Sequence, residues 1–428
     1  MKDWHQYIVG CAIGNMMEWY DFILYGFFSS IIASLFFPHH DKFTGLLLTF
    51  TVFASGCFIR PFASLVFGHI GDTLGRKLAI IITIFFITLS TTAMGLLPTY
   101  ETAGILAPIL LVICRLLQGV AVSGEEMGVA VLLSETAKDN EQAFVGSVVI
   151  GTVNVGLFLG ALSALAIFHF FKGAALMQYG WRIPFLASSI LGVIALWARL
   201  KAIESPVFKS MSEKKQVLKS PVSYVLRYHV PQIIRGVCIS AIFGVTAYLF
   251  AVYLPAYYVH DLGFAQSTSL KFSTISLFIM AIIIPLLGWY ADKVGARRMM
   301  VVGCVGCVLF AYPVFSLLVK HSILSAVFAD AMLMGCLACI SASFLPQLMS
   351  LFPSNVKYSG VCIAYNIGMT LFGSTAPIIA LQMQHTFHSR IAPFGYLIVV
   401  AVIAMLGVLV SDIKWHRLGF HQHIMVQQ

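Results

Sequence analysis

Gly68-His69-Ile70-Gly71-Asp72-Thr73-Leu74-Gly75-Arg76-Lys77 decides the fold, because the chain repeats it. Gly288-Trp289-Tyr290-Ala291-Asp292-Lys293-Val294-Gly295-Ala296-Arg297-Arg298 follows 220 residues later, with Gly, Asp and Gly in register. Each copy ends a long apolar run. A second echo sets Asn154-Val155-Gly156 against Asn366-Ile367-Gly368, at an offset of 212. Two matched pairs at equivalent places describe a duplicated unit. The 428 residues divide accordingly into a first half, 1–200, a polar linker, 201–229, and a second half, 230–428.

Composition says what kind of unit is duplicated. Charged residues make up 10% of the chain, hydrophobic residues 59%, and the mean hydropathy is +0.91. An ordinary soluble domain is roughly 25% charged, and no water-soluble fold hides this much apolar surface. Apolar runs lie near 8–37, 44–70, 78–97, 104–134, 144–170 and 182–200 in the first half. The second half has them near 230–259, 268–291, 299–319, 323–350, 358–384 and 391–413. A spanning helix takes about 20 such residues. The fold class is therefore an all-α membrane protein: twelve transmembrane helices in two pseudo-symmetric six-helix bundles. A duplicated bundle with a midplane site between its halves is a transporter arrangement. The first run carries Glu18 and Asp21 and no small-residue cleavage site, so it reads as a permanent span and not a signal peptide.

The net charge is +9. With both termini and the linker on the cytoplasmic side, seventeen Lys and Arg fall inside, Arg199, Lys414 and Arg417 among them. Five fall outside: Lys42, Lys172, Lys271, Lys320 and Arg390. That bias satisfies the positive-inside rule and removes the reason to invoke nucleic acid. The nine cysteines all sit in apolar runs. The pairs Cys304/Cys307 and Cys336/Cys339 read as packing residues. His39, His40, His416, His421 and His423 lack zinc spacing, and no metal or cofactor is expected. Nucleophile-elbow and phosphate-loop patterns are absent, so the chain is not read as an enzyme. A sensor would add a soluble domain, and a channel would not need two alternating halves.

Charged residues at membrane depth carry the functional reading. Each costs about 2.5–3.5 kcal/mol on insertion scales, so it faces a cavity or a partner. In span one, Glu18, Asp21, Phe22 and Tyr25 share one helix face. Two carboxylates one turn apart repel when both are ionised, which makes Asp21 or Glu18 a candidate proton carrier. A structural pair with Arg60 or Arg115 is the alternative. In span four, Arg115, Gln118, Val122 and Glu125 form a stripe. Arg115 stands about 15 Å along the axis from Glu125, too far to pair. Glu125 and Glu126 point about 100° apart, so one faces the cavity and the other a helix interface. Glu125 is the one expected in a coupling role, with a structural salt bridge as the alternative. Asn154 and Asn366 read as helix-contact residues, although Asn366 and Tyr365 also suit substrate contact.

The loop motif resembles the signature of the major facilitator superfamily, matching at Gly68, Asp72, Gly75, Arg76 and Lys77. Arg115-x-x-Gln118-Gly119 resembles its span-four motif. Gly14-Asn15 through Glu18-Trp19-Tyr20-Asp21-Phe22 is similar to the span-one signature of the metabolite:proton symporter family. So are Arg60-Pro61, Gly124-Glu125, Trp181-Arg182-Ile183-Pro184-Phe185 and Glu204-Ser205-Pro206-Val207-Phe208. These cover almost the whole chain in order. The segment 98–108 looks most like the proline/glycine-betaine branch. Citrate, 2-oxoglutarate and shikimate carriers share most of the motifs.

The resemblance implies proton-coupled import of a small carboxylate-bearing metabolite by alternating access. It implies a monomer in the inner membrane of a bacterium, with the proton gradient in place of a cofactor. A facilitator or exchanger is the alternative. Family substrates carry a carboxylate, so Arg60 becomes the expected anchor, by bidentate guanidinium pairing. An ion pair with Glu18 or Asp21 is the competing reading. Arg115, Tyr25, Gln118 and Asn366 are further substrate candidates. In the superfamily the loop Asp meets the start of span eleven, here Tyr358-Ser359-Gly360. By pseudo-symmetry Asp292 is expected near Ala143 to Gly146, with Arg297 in its motif. These residues are expected to lock the gate. Three departures stand out. The tail ends fifteen residues after Ile413 without heptads, so osmotic activation is not expected. Glu126 replaces the family's bulky residue, and Asp330 is unusual; either bears on substrate charge preference.

Overall fold

The computed structural model describes residues 2–38, 42–138, 140–260, 262–264, 266–318, 322–388 and 392–409, and every regular element in them is helical. Span one is a bent pair, Cys11–Phe27 and Ser29–Phe36, meeting at 62°. Span two is Lys42–Phe58 continued by Arg60–Thr73. Spans three to six are Arg76–Leu96, Leu106–Thr136, Gln142–Phe170 and Gly173–Leu200. Spans seven to twelve are Val230–Val259, Thr268–Val294, Ala296–Leu318, Ile323–Met349, Ser354–Thr386 and Ala392–Leu409. The twelve apolar runs thus became twelve spans. The bend in span one and the early start of span six, which winds through a π turn at Leu176–Gly180, were not expected. His39, His40, His416, His421 and His423 lie outside the described residues, as do Lys320, Arg390, Lys414, Arg417 and the rest of the tail.

Large apolar side chains such as Phe62, Ile190 and Leu286 point outward, as a lipid-facing belt requires. Inside, span two packs along span eleven and span five along span eight. These two interfaces join the halves and are related by the repeat. The linker is not extended chain. Two short helices, Pro206–Glu213 and Pro221–Tyr228, lie on the side where it emerges, here called the linker side. The Ser205 hydroxyl accepts from the Phe208 N–H at 3.1 Å and caps the first of them. Their buried Phe208, Met211 and Val225 hold them to the spans.

One break positions the site. Pro61 has no N–H to offer the carbonyl four residues back, so span two restarts at Arg60 and the Cys57 carbonyl is left free. The Thr370 hydroxyl of span eleven donates to that carbonyl at 3.0 Å. A proline in one half therefore creates a hydrogen bond to the other, one turn from Arg60.

Candidate functional site

A small cavity of about 80 Å3 lies between the halves. Trp19, Phe22, Asn154, Tyr248, Ser341 and Met369 are among its lining residues. Span seven lines it through a π segment, Leu249–Tyr253, and span eleven begins another at Met369. Such segments often mark functional positions in helices. Asn154, expected only at a helix contact, faces this space, while its amide donates to the Ile150 carbonyl at 3.0 Å.

Arg60 sits beside the cavity. Its Cζ lies 5.4 Å from the Phe22 ring, and Tyr248, Tyr365 and Glu18 are its electrostatic neighbours. Among the described residues the ion pairs join Arg76 to Asp72 and Glu135, Lys138 to Glu141, and Arg199 to Glu125. Arg60 is in none of them, so the competing internal ion pair is not made. Arg115 is also without a carboxylate. Its guanidinium lies 4.3 Å over Tyr25 and 4.6 Å over Phe53, and it donates to the Gln118 side-chain carbonyl. Gln118 in turn donates to Thr91 at 3.0 Å, and Tyr25 donates to the Thr49 carbonyl at 3.1 Å.

The carboxylates separate into two environments. Glu18 is 1% exposed, with neither oxygen hydrogen-bonded. Asp21, one turn on, turns into the first bundle toward the hydroxyls of Thr91 and Ser188. Glu125 pairs with Arg199 of span six and accepts from Thr83 of span three. Glu126 faces the other half and accepts from the Tyr365 hydroxyl at 2.5 Å. Asn366 also crosses between halves, donating to the Ser123 carbonyl at 2.8 Å. Asp330 lies apart, inside the second bundle, accepting from Ser276 at 2.5 Å and Tyr258 at 3.3 Å.

On the linker side, Asp72 accepts from the backbone N–H groups of Tyr358 and Ser359, at 3.3 and 2.8 Å. Asp292 accepts from those of Ala143 and Phe144, at 2.7 and 2.8 Å. Both carboxylates thus cap helix N-termini of the opposite half, where the helix dipole favours negative charge. The family resemblance implied the first contact, and pseudo-symmetry the second.

The profile of the Major Facilitator Superfamily matches residues 11–377. The chain belongs to the major facilitator superfamily. A proline/betaine transporter of Escherichia coli strain K12 is 31% identical to it over 95% of this chain and 83% of its own. A putative proline/betaine transporter of Staphylococcus aureus strain COL is 33% identical, over 93% and 86%. A proton:xylose symporter bound to 6-bromo-6-deoxy-D-glucose superposes with a TM-score of 0.80 at 15% identity, covering 95% of each chain. The inward-open xylose transporter of E. coli gives 0.64 at 16%, covering 94% of each. The expected fold stands.

Within this superfamily fold the span-four stripe needs correction. Arg115, Gln118 and Glu125 face the interior of the first bundle, not the cavity. Glu125 therefore points into the first bundle and Glu126 at span eleven of the other half, and neither is among the cavity-lining residues. Tyr25 and Gln118 hold Arg115 and are not among the cavity-lining residues. Sequence reasoning placed Arg199 among the cytoplasmic loop charges, yet it is fully buried and neutralises Glu125. It also passed over Glu135, which pairs with Arg76 at 3.2 Å. An acidic residue near the end of span four beside a basic loop was the available signal. Cys304 and Cys307 of span nine neighbour Cys336 of span ten, so the two C-x-x-C segments pack together as free thiols. Among the described residues no group of three or more His, Cys, Asp or Glu is placed to hold a metal.

Proposed function

We propose that this chain is a secondary active importer that moves a small carboxylate-bearing metabolite together with protons, by alternating access. The observation that carries this reading is Arg60: a buried guanidinium beside the inter-half cavity, with no ion pair of its own. An unpaired cation at membrane depth is costly unless it awaits an anion. A substrate carboxylate fits it bidentately. The aromatic faces of Trp19, Phe22 and Tyr248 suit the cationic end of a zwitterion, which favours proline- or betaine-like substrates over dicarboxylates. The names of the relatives support the same choice. Arg115, held by Tyr25 and Gln118, adds positive potential from behind Phe22. Asn366 positions span eleven against span four.

Glu18 and Asp21 supply the proton coupling, and Glu125 keeps its pair with Arg199. Asp72 and Asp292 close the linker side, which is the cytoplasmic side of a bacterial inner membrane in this reading. The protein acts as a monomer.

Proteoliposome uptake with an inside-alkaline pH gradient tests this. The panel holds betaine, proline, citrate, 2-oxoglutarate and shikimate, each with and without an uncoupler. One zwitterion accumulates, and the uncoupler abolishes its accumulation. Arg60→Gln loses uptake, and Arg60→Lys keeps a small part of it because a point charge does not replace a planar fork. Uptake that survives the uncoupler points to a facilitator or exchanger instead. Uptake that survives Arg60→Gln removes the anchor.

A further inference from the structure

We propose that Glu126 is a proton-operated latch: its ionised carboxylate holds span eleven through the Tyr365 hydroxyl, and a proton bound there loosens the linker side. This deepens the transport reading and rests on it. Three hydrogen bonds tie span eleven to one short stretch of span four. Tyr358 donates to the Gly124 carbonyl at 2.8 Å, Asn366 to the Ser123 carbonyl at 2.8 Å, and Tyr365 to Oε2 of Glu126 at 2.5 Å. All three donors are buried. A Cβ on Gly71 or Gly128 would collide with Tyr358, so that side chain fills a slot between spans two and four. The seam therefore closes in one register.

Two of its three acceptors are backbone carbonyls, whose charge never changes. The third is a carboxylate, and a hydrogen bond to an ionised group is roughly twice as strong as one between neutral groups. Protonation forms one O–H bond, with a proton delivered from water, and breaks no other covalent bond of the protein. It weakens the Tyr365 bond and leaves the two carbonyl bonds as they are. On its other side Glu126 faces the indole N–H of Trp19, and Trp19 lines the cavity. The charged or titratable groups around it are Glu18 from span one, Arg60 from span two, Tyr248 from span seven and Tyr365 from span eleven. Asp21, Glu125 and Asp330 each turn into their own half instead. Glu126 thus stands between the cavity wall and an interface that must part for inward release, and a proton taken up there favours the parting.

Cys362 lies on this seam, fully buried, with its carbonyl accepting from Asn366 at 2.8 Å. Its alkylation in the purified full-length protein in lipid tests the latch without any substrate. Each rate is divided by that of the same residue in the unfolded chain at the same pH, which cancels the ionisation of the thiol. Wild-type labelling is expected to speed up about tenfold on acidification, the difference between a charged and a neutral acceptor. Glu126→Gln labels at the acid rate at every pH. Tyr365→Phe is also fast and loses the pH response, whereas Asn366→Ala is fast and keeps it. A wild type without the response overturns the latch, and so does a response left intact in Glu126→Gln. A response removed by Asp72→Asn belongs to that cap and overturns it too. Should Glu126→Gln fail to fold, an unchanged response in Tyr365→Phe is the overturning result. A wild type that moves nothing on the uptake panel breaks the transport reading, while the labelling still decides the latch.

Discussion

The loop copies at 68–77 and 288–298 share a backbone and differ in charge. In both, a glycine with positive φ turns the chain, Gly75 at +116° and Gly295 at +97°. In both, an aspartate caps a helix of the other half. The first copy then builds outward. Arg76 pairs with Asp72 at 3.2 Å and with Glu135 at 3.2 Å, and donates to the Ser354 carbonyl of the second half at 2.8 Å. Glu204 caps the start of span three, accepting from the N–H groups of Arg76 and Lys77 at 3.1 and 3.2 Å. Ser205 donates to Glu135 at 2.5 Å, and Phe208 lies 5.0 Å under the Arg76 guanidinium. The second copy has Ala296 where the first has Arg76. Its Arg297 donates to the Leu409 carbonyl at 2.9 Å, and Asp292 is only partly buried. Duplication preserved the capping geometry, while only the copy that touches the linker acquired a buried ion network. The linker is thereby part of the latch and not merely a tether.

Removing Arg76 has the largest expected effect. Arg76→Ala leaves Asp72 and Glu135 buried without their cation, a loss of about 3–5 kcal/mol. Thermal unfolding of the purified protein falls markedly, while Arg297→Ala, which gives up a half-buried side chain's hydrogen bond to the Leu409 carbonyl, costs about 1 kcal/mol. Equal losses at the two positions would erase the difference between the copies.

The turn glycines sharpen the comparison at the next scale. Gly75, with φ +116° and ψ 152°, occupies a region essentially reserved for glycine, where a side chain costs about 1–3 kcal/mol. A Cβ there also runs into the Glu204 carboxylate, whereas at Gly295 it meets nothing. Gly75→Ala therefore lowers stability more than Gly295→Ala, and adding Glu204→Gln to Gly75→Ala costs little more. An additive double variant would show that the Glu204 cap and the turn are independent.

Legibility in the sequence followed the range of the interaction. The loop motif and the twelve spans were readable because Gly-x-x-x-Asp-x-x-Gly encodes a local turn and the apolar runs are long; the Asp72 cap followed from the family resemblance, and the Asp292 cap from the repeat. The choice between Glu125 and Glu126 was not. A helical wheel fixes the angle between neighbours but not what stands opposite each one. That was decided by Arg199, 74 residues away, and Tyr365, 239 residues away. The polar stripe Arg115-Gln118-Glu125 looked like a cavity lining, yet it satisfies itself inside one bundle. Glu18 and Asp21 share a sequence face but not an environment, because spans three and six crowd only one of them. The Cys57–Thr370 bridge required knowing both that Pro61 frees a carbonyl and that span eleven passes it.

The smallest expected effect bears most directly on the cycle. Asp72→Asn keeps one acceptor at the start of span eleven but removes the charge that the helix dipole and Arg76 favour. For the buried Asp72 that is worth up to about 2 kcal/mol, against about 0.3–1 kcal/mol for the more exposed Asp292. The halves must part at both latches together, so one probe serves both variants. Cys362, fully buried just beyond the Asp72 cap, is a native one, and its alkylation can be followed by mass spectrometry. A cost of 1–2 kcal/mol multiplies the open population about 5–30-fold. Asp72→Asn should speed labelling of Cys362 by that factor, and Asp292→Asn by about two- to fivefold. Equal acceleration would mean that the caps alone hold the linker side shut and that the buried network around Arg76 serves stability only. No acceleration in either variant would mean that these aspartates do not lock the gate.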